Sequence, residues 1–173
     1  MPAVVSLIGK ANSGKTTLLE RLIPALITRG VRVGTIKHHH GTDFIMDYPG
    51  KDTWRHKQAG ASVVALSSPS GVGLVRDTDH DLSLEELVEA YFQDVDLVLT
   101  EGYKGGAALK VELFRAEAHR EPLANRDESW LAMVSDQPLE CGIPLFHPDQ
   151  VTELADFLLT CLGTVKQTRS NPP

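Results

Sequence analysis

The sequence predicts an α/β fold, in which a mostly parallel sheet is flanked by helices. Short apolar runs rich in Val, Ile and Leu alternate with segments of helical periodicity, as is typical of parallel strands that helices cover on both faces. A glycine-rich stretch follows the first apolar run and leads directly into an amphipathic segment. Two further runs are separated by Pro69-Ser70-Gly71, which predicts an antiparallel hairpin added to the parallel sheet.

The elements can be placed in chain order. We predict strands over 3–8, 31–36, 62–66, 72–75, 95–100, 109–114 and 131–134, with a short one at 143–146. Helices are expected to start near Lys15, Asp52, Ser83 and Asp149. The third start has the form of a capping box, because Glu86 follows the hydroxyl of Ser83 by three residues.

Length and composition predict one globular domain over residues 1–165, followed by a polar, disordered tail over 166–173. Hydrophobic residues make up 42% of the chain and charged residues 23%. The apolar runs are too short to span a membrane, and nothing marks the N-terminus for export, so we expect a cytoplasmic protein with no membrane partner. The formal net charge of −6 argues against nucleic acid as a partner. Cys141 and Cys161 lack the spacing of a metal site and are interpreted as buried thiols.

The first loop matches the phosphate-binding pattern GxxxxGK[ST]. It runs from Gly9 to Thr16, after a strand and at the start of a helix, which is the context that the motif requires. Glycine lets backbone N–H groups approach a polyphosphate, the lysine adds a positive charge, and the threonine hydroxyl can bind Mg²⁺. We therefore predict a P-loop NTPase fold that binds a nucleoside triphosphate. The predicted binding residues are Gly9, Lys10, Asn12, Ser13, Gly14, Lys15, Thr16 and Thr17.

Such a site also needs an acidic group at the carboxyl end of a neighbouring parallel strand. Glu101 ends the strand predicted at 95–100, whereas Asp96 lies at its beginning. We predict that Glu101 faces the magnesium, directly or through a water molecule.

Other residues have less specific interpretations. Asp47 follows the second strand and is predicted to have a metal-linked or water-orienting role; Asp52 in the same loop is equally well explained as a helix cap. Lys37, Lys51 and Lys104 form either a local basic rim suited to a phosphorylated pterin or a set of scattered, solvated side chains. The run His38-His39-His40 is interpreted as a loop that donates hydrogen bonds to phosphate, or as simply exposed, rather than as a zinc site.

Selection of the base is underdetermined by these residues. The Asn-Lys-x-Asp run with which many GTPases bind guanine is absent. Asp136 follows the strand predicted at 131–134, so its carboxylate could accept hydrogen bonds from guanine; turn formation before Pro138 explains it equally well.

The motifs together resemble the molybdopterin-guanine dinucleotide biosynthesis adaptor family, MobB. The resemblance runs from about Val4 to about Leu159. It rests on the phosphate-binding loop, Lys37 to His40, Asp47 to Thr53 with Ala59 to Ala61, Thr100 to Lys104, and Lys110 to Arg115. The resemblance implies a homodimeric GTP-binding protein with weak GTPase activity. It also implies that the protein assists the guanylyltransferase that attaches GMP to molybdopterin.

Two other functions remain open at this point. The same loop could serve a small-molecule kinase, with Arg115, Arg120 and Arg126 as candidates for an arginine-containing lid. Alternatively, the chain could deliver a pterin or a metal and use the nucleotide only as a switch. Lys10 raises a further hypothesis, since Gly9-Lys10 resembles dimeric P-loop proteins in which this lysine reaches the partner subunit's phosphates; a solvated loop lysine is the simpler interpretation.

Overall fold

The computed structural model describes residues 1–39, 41, 47–103, 108–124 and 126–170, with residues 164–170 as helical backbone. Predictions that concern His40 and Lys104 therefore lie outside the described residues. The elements, in chain order, are β1 (Ala3–Ile8), α1 (Lys15–Ile27), β2 (Val33–Lys37), α2 (Asp52–Gln58), β3 (Val63–Ser68), β4 (Gly71–Arg76), α3 (Leu84–Tyr91), β5 (Leu97–Glu101), β6 (Leu109–Phe114), β7 (Trp130–Ser135), β8 (Leu145–Phe146) and α4 (Val151–Ser170).

The chain forms two compact units. The first comprises Met1–His38 and Leu84–Pro173, and the second comprises His39–Ser83. Because α4 extends to Ser170, the helical backbone includes the beginning of the segment that was expected to be a disordered tail. The division into one domain and a tail stays a prediction.

The first unit is built on a six-stranded sheet in the order β2-β5-β1-β6-β7-β8. All of its strand pairs in the described residues are parallel. The chain leaves β1 in the middle of the sheet, with β5 on one side and β6 on the other. The loops at the carboxyl ends of these strands consequently lie at one edge, where ligands bind in open α/β sheets.

Helices cover the two faces of this sheet. On one face, α1 and α4 pack on β1, β5 and β6 through a core that contains Leu7, Leu22, Leu99 and Leu158, all at most 1% exposed. On the other face, α3 contributes Leu84 and Val88 to a smaller cluster with Ile36 and Val98. The alternation of side chains along each strand directs odd-numbered residues of β5 to the first face and even-numbered residues to the second.

The second unit contains α2 and a two-stranded antiparallel sheet of β3 and β4. The pairing of Ser68 with Gly71 places Pro69 and Ser70 in the turn, which confirms the predicted hairpin. The hairpin forms a sheet of its own instead of extending the parallel one. Several of its apolar side chains are exposed, namely Val63, Leu66, Val72 and Leu74.

The boundaries differ from the predictions at a few positions. Asp52 is the first helical residue of α2 and Lys51 occupies the N-cap, so the interpretation of Asp52 as the cap was wrong. The two thiols of Cys141 and Cys161 are free but only partly buried. No helix in the described part of the chain is long and apolar enough to cross a membrane.

Candidate nucleotide-binding site

The phosphate-binding loop connects β1 to α1 and has the backbone that its glycines allow. At Gly9 a side chain is excluded, because a Cβ atom would come within 2.5 Å of the Leu113 carbonyl oxygen and 2.7 Å of Ser13 Oγ. Gly14 is the N-cap of α1 in a left-handed conformation with φ 89°. Asn12 also has a positive φ, of 59°, which asparagine tolerates better than most residues.

The N-terminus of α1 has the features of a helix start that binds an anion. No side chain caps it, and its first turn contains no acidic residue. The backbone N–H groups of Lys15, Thr16 and Thr17 therefore remain at the positive end of the helix dipole. The sequence thus provides an anion site at the end of the sheet where β1, β5 and β6 have their carboxyl ends.

Lys15 lies across the loop that it follows. Its Nζ donates hydrogen bonds to the Lys10 carbonyl at 2.8 Å and the Gly9 carbonyl at 3.3 Å, and lies 3.4 Å from Ser13 Oγ. The ammonium is thereby held over the loop, at the position from which it could bind phosphate oxygens. Ser13 is 6% exposed, so its hydroxyl contributes to the internal structure of the loop.

Glu101 ends β5, next to the loop, as predicted. Thr16 Oγ1 donates to Glu101 Oε2 at 3.1 Å and lies 3.4 Å from Oε1. Lys37, at the end of β2, places its Nζ 3.8 Å from Glu101 Oε1. A hydroxyl and a carboxylate of this kind are oxygen ligands suited to Mg²⁺, so Thr16 and Glu101 fit a magnesium ion that also binds phosphate oxygens.

Asp136 lies at the same edge of the sheet, directly after β7. Its Oδ1 accepts a hydrogen bond from the Ala116 backbone N–H at 3.1 Å. The carboxylate is partly buried, and within the described residues its Oδ2 has no hydrogen-bond partner. Asp136 therefore fixes the connection that follows β6 and retains one oxygen that could accept a hydrogen bond from a ligand.

The connection between β6 and β7, residues 115–129, lies against the phosphate-binding loop through two contacts. Lys10 Nζ donates to the Glu121 carbonyl oxygen at 2.7 Å. The His119 ring nitrogen Nε2 lies 2.6 Å from the Ala11 carbonyl oxygen, which requires a proton on that nitrogen because a carbonyl only accepts. These two hydrogen bonds hold the β6–β7 connection against the phosphate-binding loop.

An ion pair between buried Glu112 and partly buried Arg126 also holds this connection. Glu112 is 1% exposed, and its Oε2 accepts from Arg126 Nε at 3.0 Å while its Oε1 accepts from the Leu123 N–H at 2.5 Å. The sequence motifs predict no individual role for Glu112, and they make Arg126 a candidate only for a lid. The detectable signal was a carboxylate inside the apolar strand Leu109–Phe114, since a buried charge requires a partner. At the other end of the connection, hydrogen bonds from Ser129 lower the pKa of Asp127.

The remaining predicted residues are His38, which directly follows β2 and whose N–H donates to the Glu101 carbonyl at 2.9 Å, and Asp47 and Lys51 in the second unit. The ring of His38 packs against Tyr103, with 4.9 Å between ring centroids. Asp47 and Lys51 belong to the second unit, where Asp47 Oδ1 accepts from the Tyr48 N–H. The metal-linked role of Asp47 stays a prediction.

Comparison with known proteins decides the family. A family model described as molybdopterin guanine dinucleotide synthesis protein B matches residues 4–136. The chain belongs to the MobB family. A molybdopterin-guanine dinucleotide biosynthesis adapter protein of Haemophilus influenzae is 39% identical over 156 residues, covering 90% of this chain and 86% of its own length. The adapter protein of Escherichia coli is 39% identical over 154 residues, covering 86% and 87%.

Solved structures of MobB proteins share the fold. The crystal structure of Bacillus subtilis MobB matches with a TM-score of 0.73 and 30% identity, covering 91% of this chain and 96% of its own. Another crystal structure of molybdopterin-guanine biosynthesis protein B matches with a TM-score of 0.68 at 30% identity, covering 92% and 98%. The predicted α/β fold of the P-loop NTPase type and the predicted family are both confirmed.

Proposed function

We propose that this MobB-family chain is a GTP-binding adapter in the biosynthesis of molybdopterin guanine dinucleotide. It binds GTP with Mg²⁺ in the cytoplasm and assists the guanylyltransferase that attaches GMP to molybdopterin. The observation that carries the proposal is the contact of Thr16 with Glu101 beside an uncapped helix start. It brings together an anion site and two oxygen ligands, which is what a magnesium-bound triphosphate requires.

The order of the strands supports one orientation of the bound nucleotide. Glu101 ends β5 on one side of the phosphate-binding loop, and Asp136 follows β7 on the other side. Three strand spacings separate β5 from β7, or roughly 14 Å, a distance that a nucleoside triphosphate can span from its outer phosphate to its base. The proposed arrangement therefore has the outer phosphates near Glu101 and the base near Asp136.

Guanine is the proposed base because a carboxylate can accept hydrogen bonds from the two donors on its edge, N1–H and N2–H. Adenine presents a different pattern, with an acceptor at N1. The Ala116 N–H already uses Oδ1 of Asp136, so the proposed reader is the other oxygen. The buried pair of Glu112 and Arg126 supports this arrangement by holding the β6–β7 connection in place.

We propose that hydrolysis of the bound nucleotide is weak. Lys15 stabilises charge that develops on the phosphates, Glu101 and Thr16 hold the metal, and Asp47 orients a water molecule or contributes to the metal site. When bound, Mg²⁺ neutralises phosphate charge. A slow reaction suits a protein whose role is nucleotide-dependent association with an enzyme.

The proposed assembly is a homodimer that also contacts the guanylyltransferase or molybdopterin. The β3–β4 hairpin offers support for the homodimer, because Val63, Val72 and Leu74 lie on the same face of the hairpin by register and are 51%, 73% and 45% exposed. A face of this kind is more typical of an interaction surface than of a solvated hairpin. No transmembrane or nucleic-acid role is proposed.

The kinase alternative loses support from the arginines. Arg126 is engaged with buried Glu112, and Arg115 forms an ion pair with Glu117 at 3.0 Å. Arg120 is exposed, and it alone among the three has no ion pair within the described residues. A lid that closes over phosphates would have to give up these contacts.

The function is tested by adding the purified guanylyltransferase to the full-length chain with Mg²⁺-GTP. We expect association that depends on GTP, and faster release of phosphate in the presence of the enzyme. Lys15→Ala is the matched control, because it keeps the surface but removes the phosphate-binding charge. Phosphate transfer to a small-molecule acceptor would instead favour a kinase, and tight binding of a pterin without nucleotide would favour a delivery module.

A further inference from the structure

Lys37 is the last residue of β2 and lies beside the predicted metal ligand. In the parallel register Lys37 pairs with Glu101, and Glu101 pairs with Leu7. Partners in register share a face of the sheet, and Leu7 belongs to the core under α1 and α4. Lys37 and Glu101 therefore project on the face that carries α1, whose first turn contains Thr16.

The two oxygens of Glu101 are each approached by a different group. Thr16 Oγ1 lies 3.1 Å from Oε2, and Lys37 Nζ lies 3.8 Å from Oε1. The Glu101 side chain is only 15% exposed, whereas that of Lys37 is 67% exposed. The carboxylate is thus fixed within the site, while the lysine reaches it from solvent on a long stem.

A metal cation bound by Thr16 and Glu101 would weaken the attraction between Lys37 and Glu101. An ammonium group a few ångströms from Mg²⁺ is repelled by the like charge. The metal also competes with the Lys37 ammonium for the carboxylate of Glu101. The exposed stem of Lys37 can turn to another anion at little cost. At this edge of the sheet, the anion that arrives with the metal is the outer part of the polyphosphate.

The position of β2 determines which phosphate lies within reach. In the sheet order, β2 lies beyond β5, on the side of the phosphate-binding loop opposite to Asp136. With the base near Asp136, the phosphate nearest to β5 and β2 is the terminal one. In the same proposed arrangement, the terminal phosphate of a diphosphate lies one phosphate group further from β2.

We propose that Lys37 is a further nucleotide-binding residue, one that contacts the γ-phosphate and lets the protein distinguish a triphosphate from a diphosphate. In the nucleotide-free chain its ammonium pairs with Glu101. In the complex with magnesium and a triphosphate it moves to the γ-phosphate, while Glu101 faces the metal. The proposal rests on the proposed binding of a nucleoside triphosphate.

The test is calorimetric titration of the full-length chain with Mg²⁺ and either a non-hydrolysable GTP analogue or GDP. For Lys37→Ala we expect the dissociation constant of the analogue to rise on the order of tenfold or more, as for loss of a charge-assisted hydrogen bond. The dissociation constant of GDP should stay within about twofold. Lys37→Arg should recover most of the affinity for the analogue, because it retains a cation at this position.

Arg32→Ala is the matched control. Arg32 directly precedes β2, and its side chain is 66% exposed. It pairs with Asp96 at 3.0 Å, at the amino ends of β2 and β5, which is the end of the sheet opposite to Lys37. Removing this cation changes the net charge as Lys37→Ala does, at nearly the same exposure, and should leave both nucleotides bound as in the wild type.

The outcomes separate this inference from the proposed function. Unchanged affinity for the analogue in Lys37→Ala overturns the role of Lys37 while leaving triphosphate binding intact. Equal weakening of the analogue and GDP, or the same weakening in Arg32→Ala, shows a general effect of charge and also overturns it. If the wild-type chain binds neither nucleotide, the proposed function fails together with the inference.

Discussion

Thr16 Oγ1 donates a hydrogen bond to Glu101 Oε2 at 3.1 Å, linking the first turn of α1 to the carboxyl end of β5. The two residues are 85 positions apart in the chain. Because parallel pairing of β1 with β5 brings these ends to one edge of the sheet, a phosphate-binding loop and an acidic residue become neighbours. The proposed magnesium and nucleotide chemistry of this chain depends on that contact.

The metal role of Glu101 can be tested by Glu101→Gln, which keeps the size and removes the charge. We expect weaker dependence on Mg²⁺ and slower GTP hydrolysis, because the carboxylate that faces the metal is lost. GDP binding should remain close to normal. Hydrolysis assayed against Mg²⁺ concentration provides the measurement, and wild-type rate and metal dependence in the variant would make Glu101 a structural residue.

Base selection by Asp136 is tested with Asp136→Asn. The asparagine Oδ1 can still accept from the Ala116 N–H, so the β6–β7 connection should keep its position. Its amide NH₂ would meet the donor groups of guanine, so we expect the ratio of GTP to ATP affinity to fall on the order of tenfold. Competitive titration of the two nucleotides measures this ratio, and an undiminished preference for GTP would place recognition of the base elsewhere.

Lys10 is tested for action within its own chain or across a dimer. Its contact with the Glu121 carbonyl favours a role within the chain, so Lys10→Ala should increase deuterium exchange in residues 115–124. Mixing Lys10→Ala with Lys15→Ala subunits examines the other possibility. Activity of the mixture above that of either parent would support the hypothesis that Lys10 acts on the partner's nucleotide, whereas simple dilution would exclude it.

The ion pair under the β6–β7 connection predicts a clear loss of stability. Arg126→Ala leaves the carboxylate of Glu112, 1% exposed, without its charged partner. Removing one member of a fully buried pair costs about 3–5 kcal/mol of the free energy of unfolding. Because the Arg126 side chain is 26% exposed, we expect a loss near the lower end of that range. Urea denaturation measures this cost, and Arg115→Ala, which removes an exposed partner of Glu117, is the control with a loss under about 1 kcal/mol.

Much of this fold was predictable from local pattern. The apolar runs and the helix starts near Lys15 and Asp52 lie within two residues of the observed elements, because buried parallel strands give continuous hydrophobic segments. The proximity of Thr16 and Glu101 also followed from topology, since a loop after one strand and an acidic residue at the end of the neighbouring parallel strand lie side by side at the carboxyl ends of the sheet.

Other features depend on tertiary contacts that no local pattern contains. The hairpin was recognised from its turn, but a turn sequence does not determine whether the two strands pair only with each other or also extend a larger sheet. The partners of Glu112 and Lys10 come from the β6–β7 connection, whose described residues, 115–124 and 126–129, form no helix or strand. Without a helical or strand periodicity, the sequence does not indicate which way these side chains point.

Calorimetric titration of the full-length wild-type chain with GTP and ATP, each with and without Mg²⁺, tests the central claim most directly. We expect GTP to bind in the presence of Mg²⁺, ATP to bind more weakly, and binding of both to weaken when the metal is omitted. Lys15→Ala should fold as the wild type does, by circular dichroism, and lose measurable affinity for the triphosphate. A wild-type chain that binds neither nucleotide, or a folded Lys15→Ala variant that binds GTP with unchanged affinity, would contradict the account.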